Sequence, residues 1–179
     1  MWPDARDLEI DDYQRALLTQ RHSLTGITIH YRGAAQYEDS VWSAFDGQMN
    51  FFAFVKLRNL EIFAFLFLGH GILGNLPGRE GALGAASKAL PRSIECLSVL
   101  QCDNLIWTRA VQDVFAMILG RKQDNHPALR QLAMVVWLSG NGLTLDLSRL
   151  RTAARAQKVR FRLVGEYKWD QDEIGRAHV

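Results

Sequence analysis

The chain has 179 residues, enough for one domain with a core or for a short repeat array, and its 48% apolar and 22% charged residues exclude wholesale disorder. A formal net charge of +2 is too small to argue for nucleic acid by itself. Cys96 and Cys102 share one extended segment and cannot bridge without a bend, so a reducing compartment, cytoplasmic or nuclear, is the simpler expectation.

The polar, acidic N-terminus carries no signal-peptide pattern. The sequence predicts a first helix over Tyr13 to His22, opened by Asp11 and Asp12 as caps. Short alternating strands follow around Ile27 and around Leu60. The stretch from Ile62 to Pro77 is apolar and uncharged, but it is broken by glycines and falls short of the about 20 residues a membrane span needs. A buried strand followed by a loop fits it better. A short turn over Leu83 to Leu90 ends at Pro91, and a third strand centres on Leu97. The longest predicted helix, Leu105 to Gln123, carries Trp107, Val111, Val114 and Ile118 on one face. After a strand around Leu132 comes a helix from Asp146 to Gln157 with Leu147, Leu150 and Ala154 as its stripe. Strands alternating with helices at such intervals predict parallel strands joined by crossover helices.

The last six residues, Ile174 to Val179, together with a following stop, are encoded by ATC-GGA-AGA-GCA-CAC-GTC-TGA, a stretch of a widely used sequencing adapter. Glu173 fits a codon straddling the junction. Residues 173–179 are therefore expected to be an adapter-derived tail and are set aside, which leaves 1–172 as a fragment of a longer protein. The nucleotide record checks this directly, since any other codons remove the idea.

One frame recurs along the chain: apolar, two residues, apolar, one residue, apolar. It occurs as Leu24-x-x-Ile27-x-Ile29, Leu57-x-x-Leu60-x-Ile62, Ile94-x-x-Leu97-x-Val99 and Leu129-x-x-Leu132-x-Met134, with a weaker fifth copy at Ala156-x-x-Val159-x-Phe161. A doubly wound nucleotide-binding sheet is the competing architecture, but Gly69, Gly71, Gly74 and Gly78 do not space as G-x-G-x-x-G, and no Walker A sequence occurs. Strands that bury one face explain the frame better. The expectation is an α/β leucine-rich-repeat-like solenoid with parallel strands and intervening helices.

Three phrases carry a family likeness: LPRSIECLSVLQCD, then GRKQDNHPALRQLAM, then DLSRLRTAARAQKVRF. Together with HSLTGITIHYRG and FVKLRNLEIFAFLFLG, they resemble the repeat region of fungal F-box and leucine-rich-repeat proteins over about residues 13 to 163. Cys102 falls where such repeats commonly carry asparagine or cysteine. The resemblance implies target recognition in an F-box-type ubiquitin-ligase receptor. No F-box is present in this chain.

Stacking the copies predicts the binding residues. One outward column reads His30, Phe63, Leu100, Val135 and Arg162; its neighbour reads Thr28, Glu61, Ser98, Ala133 and Arg160. Phe63, Leu100 and Val135 would form an exposed apolar stripe, with Glu61, Ser98, Arg160 and Arg162 beside it, as a protein-partner site. The Gly69 to Gly78 loop folding over that stripe is the alternative. The cations Arg149, Arg151, Arg155, Lys158, Arg160 and Arg162 are read as a solvated face; the alternative is a binder of an anionic ligand or nucleic acid, for which Phe161 is the one aromatic interleaved in the segment.

His22, His30, His70, His126 and His178 are scattered without metal-ligand spacing. Asp170, Asp172 and Glu173 read as a solvated tail. No catalytic, cofactor or metal residue is assigned, and neither a small-molecule substrate nor a membrane is expected. The competing functional reading is a small α/β enzyme with a site near the Gly69 to Gly78 loop, where His70 stands between glycines.

Overall fold

The structure, a computed structural model, describes residues 10–29, 48–69, 76–100, 102, 105–138 and 146–167. Helix α1 (Ile10–Leu18) leads into strand β1 (Gly26–Thr28). Then come β2 (Asn59–Phe63), α2 (Ala64–Leu68), α3 (Leu76–Lys88) and β3 (Cys96–Leu100). The chain continues through α4 (Leu105–Gly120), α5 (Lys122–Asn125), β4 (Gln131–Leu138), α6 (Ser148–Ala156) and β5 (Arg160–Tyr167). The five strands form one sheet in the order β1-β2-β3-β4-β5, and every neighbouring pair is parallel. The protein is α/β, as the alternation of strand and helix patterns predicted.

The frame residues hold the sheet to its core. Ile27, Leu60, Leu97 and Leu132 stand side by side in register, and so do Ile62, Val99 and Met134. All seven are buried, because alternate residues of a strand reach the same face and these reach the helices. The first frame residues Leu57, Ile94 and Leu129 are also buried. Leu24 and Ile29, at the first strand, are only half-buried.

Each rung enters the sheet the same way. The N–H of Leu57 closes a turn on the carbonyl of Phe54 at 3.1 Å, that of Ile94 on Pro91 at 3.2 Å, and that of Leu129 on His126 at 3.0 Å. One residue later the Arg58 carbonyl accepts the N–H groups of both Glu95 and Cys96 at 2.8 Å. Thr25 does the same for Arg58 and Asn59, and Glu95 for Arg130 and Gln131. Successive units are thus hydrogen-bonded to one another through their backbones before the strands begin.

The helices depart from expectation in three places. Ile62 to Leu68 is the end of β2 followed directly by the five-residue α2, all of whose side chains are buried. The helix stops at Gly69, whose φ of 70° favours glycine and where a Cβ would lie 3.2 Å from the Cβ of Gln48. Helix α3 is 13 residues long, where the sequence predicted only a short turn, and it takes in Gly78, Gly81 and Gly84. Glycine disfavours helix, but Leu83 and Ala86 are buried in the core and α3 packs on α2 and α4, so tertiary burial overrides propensity. Finally, Asp11 and Asp12 lie inside α1 and do not cap it; Asp12 pairs with Arg15 at 3.0 Å.

The other long helices match their stripes. Val111, Val114 and Ile118 of α4 are buried with Trp107 half-buried, and Leu147, Leu150 and Ala154 are buried at α6. Contacts run from α2 to α3 and α4, and from α4 to α3 and α6, so these helices form one connected layer. Among the described residues no helix is long and apolar enough to cross a membrane.

Candidate protein-binding surface

The sheet has two chemically distinct faces. Phe161 of β5 meets Phe115 of α4 edge-on, with ring centroids 6.4 Å apart, which fixes the side of the leucine columns as the side of the helices. The intervening residues point the other way. In register they form three columns: Asn59, Cys96, Gln131 and Arg160; Thr28, Glu61, Ser98, Ala133 and Arg162; and Phe63 with Leu100, then Val135 with Val164. Asn59, Thr28, Arg160 and Arg162 are exposed, and Glu61, Cys96, Ser98 and Gln131 are half-buried.

This corrects the predicted columns at their last member. Arg162 stands beside Ala133, not Val135, and Arg160 stands beside Gln131. The fifth copy is therefore phased two residues later than Ala156-x-x-Val159-x-Phe161: Phe161 takes the place of Leu132, and Leu163 that of Met134. The cause is the end of α6. Lys158 adopts φ 55°, its N–H bonds to the Arg155 carbonyl at 3.0 Å, and the Val159 N–H reaches back to Ala154 at 2.8 Å. That pattern is a Schellman motif with lysine at the position glycine usually takes. Val159 is buried at this cap, so its apolar character produced a false frame in the sequence.

The apolar stripe is not an open one. Phe63 is 6% exposed and Val135 7%, and only Leu100 of the three is half-buried. Phe63 stacks on Phe65 with centroids 5.8 Å apart, so neighbouring aromatic surface takes up part of its contact. His30, and residues 70–75 of the Gly69 to Gly78 loop that might cover the stripe, lie outside the described residues. Gly78 itself belongs to α3.

The basic run is continuous in sequence but divided in space. Arg149, Arg151, Arg155 and Lys158 sit on α6 and its C-terminal turn, in the helix layer, whereas Arg160 and Arg162 lie on the opposite face of the sheet. All six are exposed, and none forms an ion pair among the described residues. From Leu147 to Gly165 there is no carboxylate, so with a net charge of +2 these six cations leave −4 for the rest of the chain. At the start of α6 the hydroxyl and N–H of Ser148 hold the Asp146 carboxyl below its usual range, with Arg149 adding to the effect.

Leu163 is a feature the sequence reading missed. It occupies a column whose inner members are fully buried, yet it is 40% exposed because β5 is last in the sheet and pairs only with β4 among the described residues. The phasing of Arg160 and Arg162 was the available signal, hidden by the false copy. Elsewhere, His70, His178 and the carboxylates Asp170, Asp172 and Glu173 lie outside the described residues. His22 is exposed and accepts from Arg21 Nε at 3.1 Å, while His126 is buried against the Ser87 carbonyl. No group of three His, Cys, Asp or Glu among the described residues could hold a metal ion. Comparison with known protein families, with curated proteins and with solved structures finds no match to this chain.

Proposed function

We propose that the chain is a protein-binding module, a leucine-rich-repeat-like solenoid fragment that recognises its target with the face of the sheet turned away from the helix layer of α2, α3, α4 and α6. The observation that carries this reading is the chain-order, all-parallel sheet with its frame residues turned to one connected helix layer. Each unit then touches mainly the units before and after it, and one strand face is left for a partner. The likeness to fungal F-box and leucine-rich-repeat proteins supports an intracellular role as the target-recognition part of a ubiquitin-ligase receptor, with the F-box supplied upstream of this segment.

Ser98 is the residue for the test, since it lies at the centre of the face and is half-buried. Wild-type chain and Ser98→Arg are compared by affinity capture from cell extract, with melting curves recorded in parallel. Target-specific capture lost in Ser98→Arg at an unchanged melting temperature is the expected result. The same captured set for both chains sinks the reading. Sequencing the full-length transcript tests the ligase connection separately: without an upstream F-box it fails.

A further inference from the structure

We propose that the β5 edge accepts an extended segment of a partner protein as a sixth strand, and that this segment alternates acidic and apolar residues. The proposal deepens the protein-binding reading and rests on it. Along Arg160, Phe161, Arg162 and Leu163 cations alternate with apolar residues, so the two arginines face one side of the sheet and the two apolar residues the other.

Charge on an edge strand is commonly protective, because it discourages pairing with another chain. What sets β5 apart is its apolar half. The inner members of the two core columns, Leu97, Leu132, Val99 and Met134, are 0% exposed, whereas Phe161 is half-buried and Leu163 is 40% exposed. Among the described residues both columns end at β5, with no strand beyond it. A further strand bearing apolar residues opposite Phe161 and Leu163 would complete them. Its intervening residues would then stand opposite Arg160 and Arg162, within about 4.5–5.5 Å between Cβ atoms. Neither arginine has an ion-pair partner among the described residues, so carboxylates at those places meet unpaired cations.

Main-chain pairing supplies affinity in this mode, and alternate side chains supply specificity. A second copy presenting its β1, Gly26 to Thr28, fits poorly, because that strand carries no carboxylate. Nucleic acid fits less well than an acidic strand. The six cations of the run are split between the two sides of the sheet, and the apolar residues beside Arg160 and Arg162 turn to the side away from them.

The test uses the full chain and three fluorescent probes: a peptide with a Glu-Val-Glu-Val-Glu centre, one with Lys-Val-Lys-Val-Lys, and a single-stranded RNA. The Glu/Val peptide is expected to bind, to slow amide exchange along β5, and to bind about tenfold more weakly to Arg160→Glu/Arg162→Glu, as two exposed cross-strand charge pairs allow. The same double variant should gain affinity for the Lys/Val peptide. Binding of the RNA as tightly as the Glu/Val peptide, or Glu/Val binding without protection of the β5 amides, overturns the proposal. Because Ser98 lies away from β5, Ser98→Arg should leave peptide binding intact. If no peptide binds while Ser98→Arg still abolishes target capture, the edge proposal falls and the protein-binding reading stands.

Discussion

His126 Nε2 lies 3.1 Å from the carbonyl oxygen of Ser87, joining the end of α3 to the turn before β4 across 39 residues of sequence. With a carbonyl as its partner, Nε2 must be the protonated nitrogen, which leaves Nδ1 as an unprotonated acceptor. Nδ1 is buried without a hydrogen-bond partner among the described residues, and His126 as a whole is 2% exposed. Burial holds the imidazole pKa below its ordinary 6.5, with Arg92 adding to the effect. The Ser87 and Pro91 carbonyls oppose it, although the Pro91 carbonyl completes no hydrogen bond with the ring.

A pH dependence follows, with its sign fixed. The unfolded chain binds the proton near pH 6.5, and the folded chain binds it only at lower pH. Stability from this group is therefore full above about pH 7, falls as pH drops through 6.5, and levels off below the folded pKa. Urea melts from pH 8 to pH 5 of wild type and His126→Gln check this. The variant, whose side-chain amide can still donate to the Ser87 carbonyl but does not titrate, should lie within about 1.5 kcal/mol of wild type at pH 8 and should show the flatter profile. Parallel profiles for the two proteins would remove His126 as the cause.

Helix α3 offers a second test. Gly81 is exposed within it, and a Cβ there would meet nothing within 4 Å. Glycine in a helix interior costs roughly 0.5–1 kcal/mol relative to alanine. Gly81→Ala should raise stability by about that amount in a denaturant melt. No gain would mean that α3 is not formed around Gly81.

The parts of the fold that the sequence made legible are those where apolar spacing and burial coincide. Leu60, Leu97 and Leu132 fall in register because a strand that buries one face cannot slip by a single residue without exposing the whole set. Helix α3 was illegible because three glycines and Pro77 argue locally against a helix that packing on α2 and α4 supports. The phase of β5 was illegible for a different reason: nothing in the sequence marks Lys158 as left-handed. The candidate surface inherited that error at Arg160 and Arg162, while its inner members Glu61 and Ser98 were placed correctly side by side.

The Lys158 cap can be tested directly. A non-glycine residue in the left-handed region bears a steric cost of roughly 1 kcal/mol that glycine does not. Part of the gain on substitution is offset by the greater freedom of glycine in the unfolded chain. Lys158→Gly should therefore stabilise the protein by about 0.5 kcal/mol, whereas Lys158→Ala, which keeps the strain, should not. Equal effects of the two substitutions would show that loss of the charge, not the backbone, governs this position.

Phe63 and Leu100 separate a core role from a binding role at the apolar end of the sheet. Phe63 is 6% exposed and stacked on Phe65, so truncation leaves a cavity in contact with the core. Phe63→Ala should cost about 3–5 kcal/mol and lower the melting temperature markedly. Leu97→Ala, at a site with no exposure at all, should cost about 2–5 kcal/mol and serves as the core reference. Leu100, pointing away from the helix layer of α2, α3, α4 and α6 and half-buried, should lose distinctly less on truncation than Leu97 does. If Leu100→Ala is as destabilising as Leu97→Ala, Leu100 is core and no part of the apolar column is available to a partner. If it melts close to wild type yet weakens target capture, the binding face extends from Ser98 to Leu100 and stops short of Phe63.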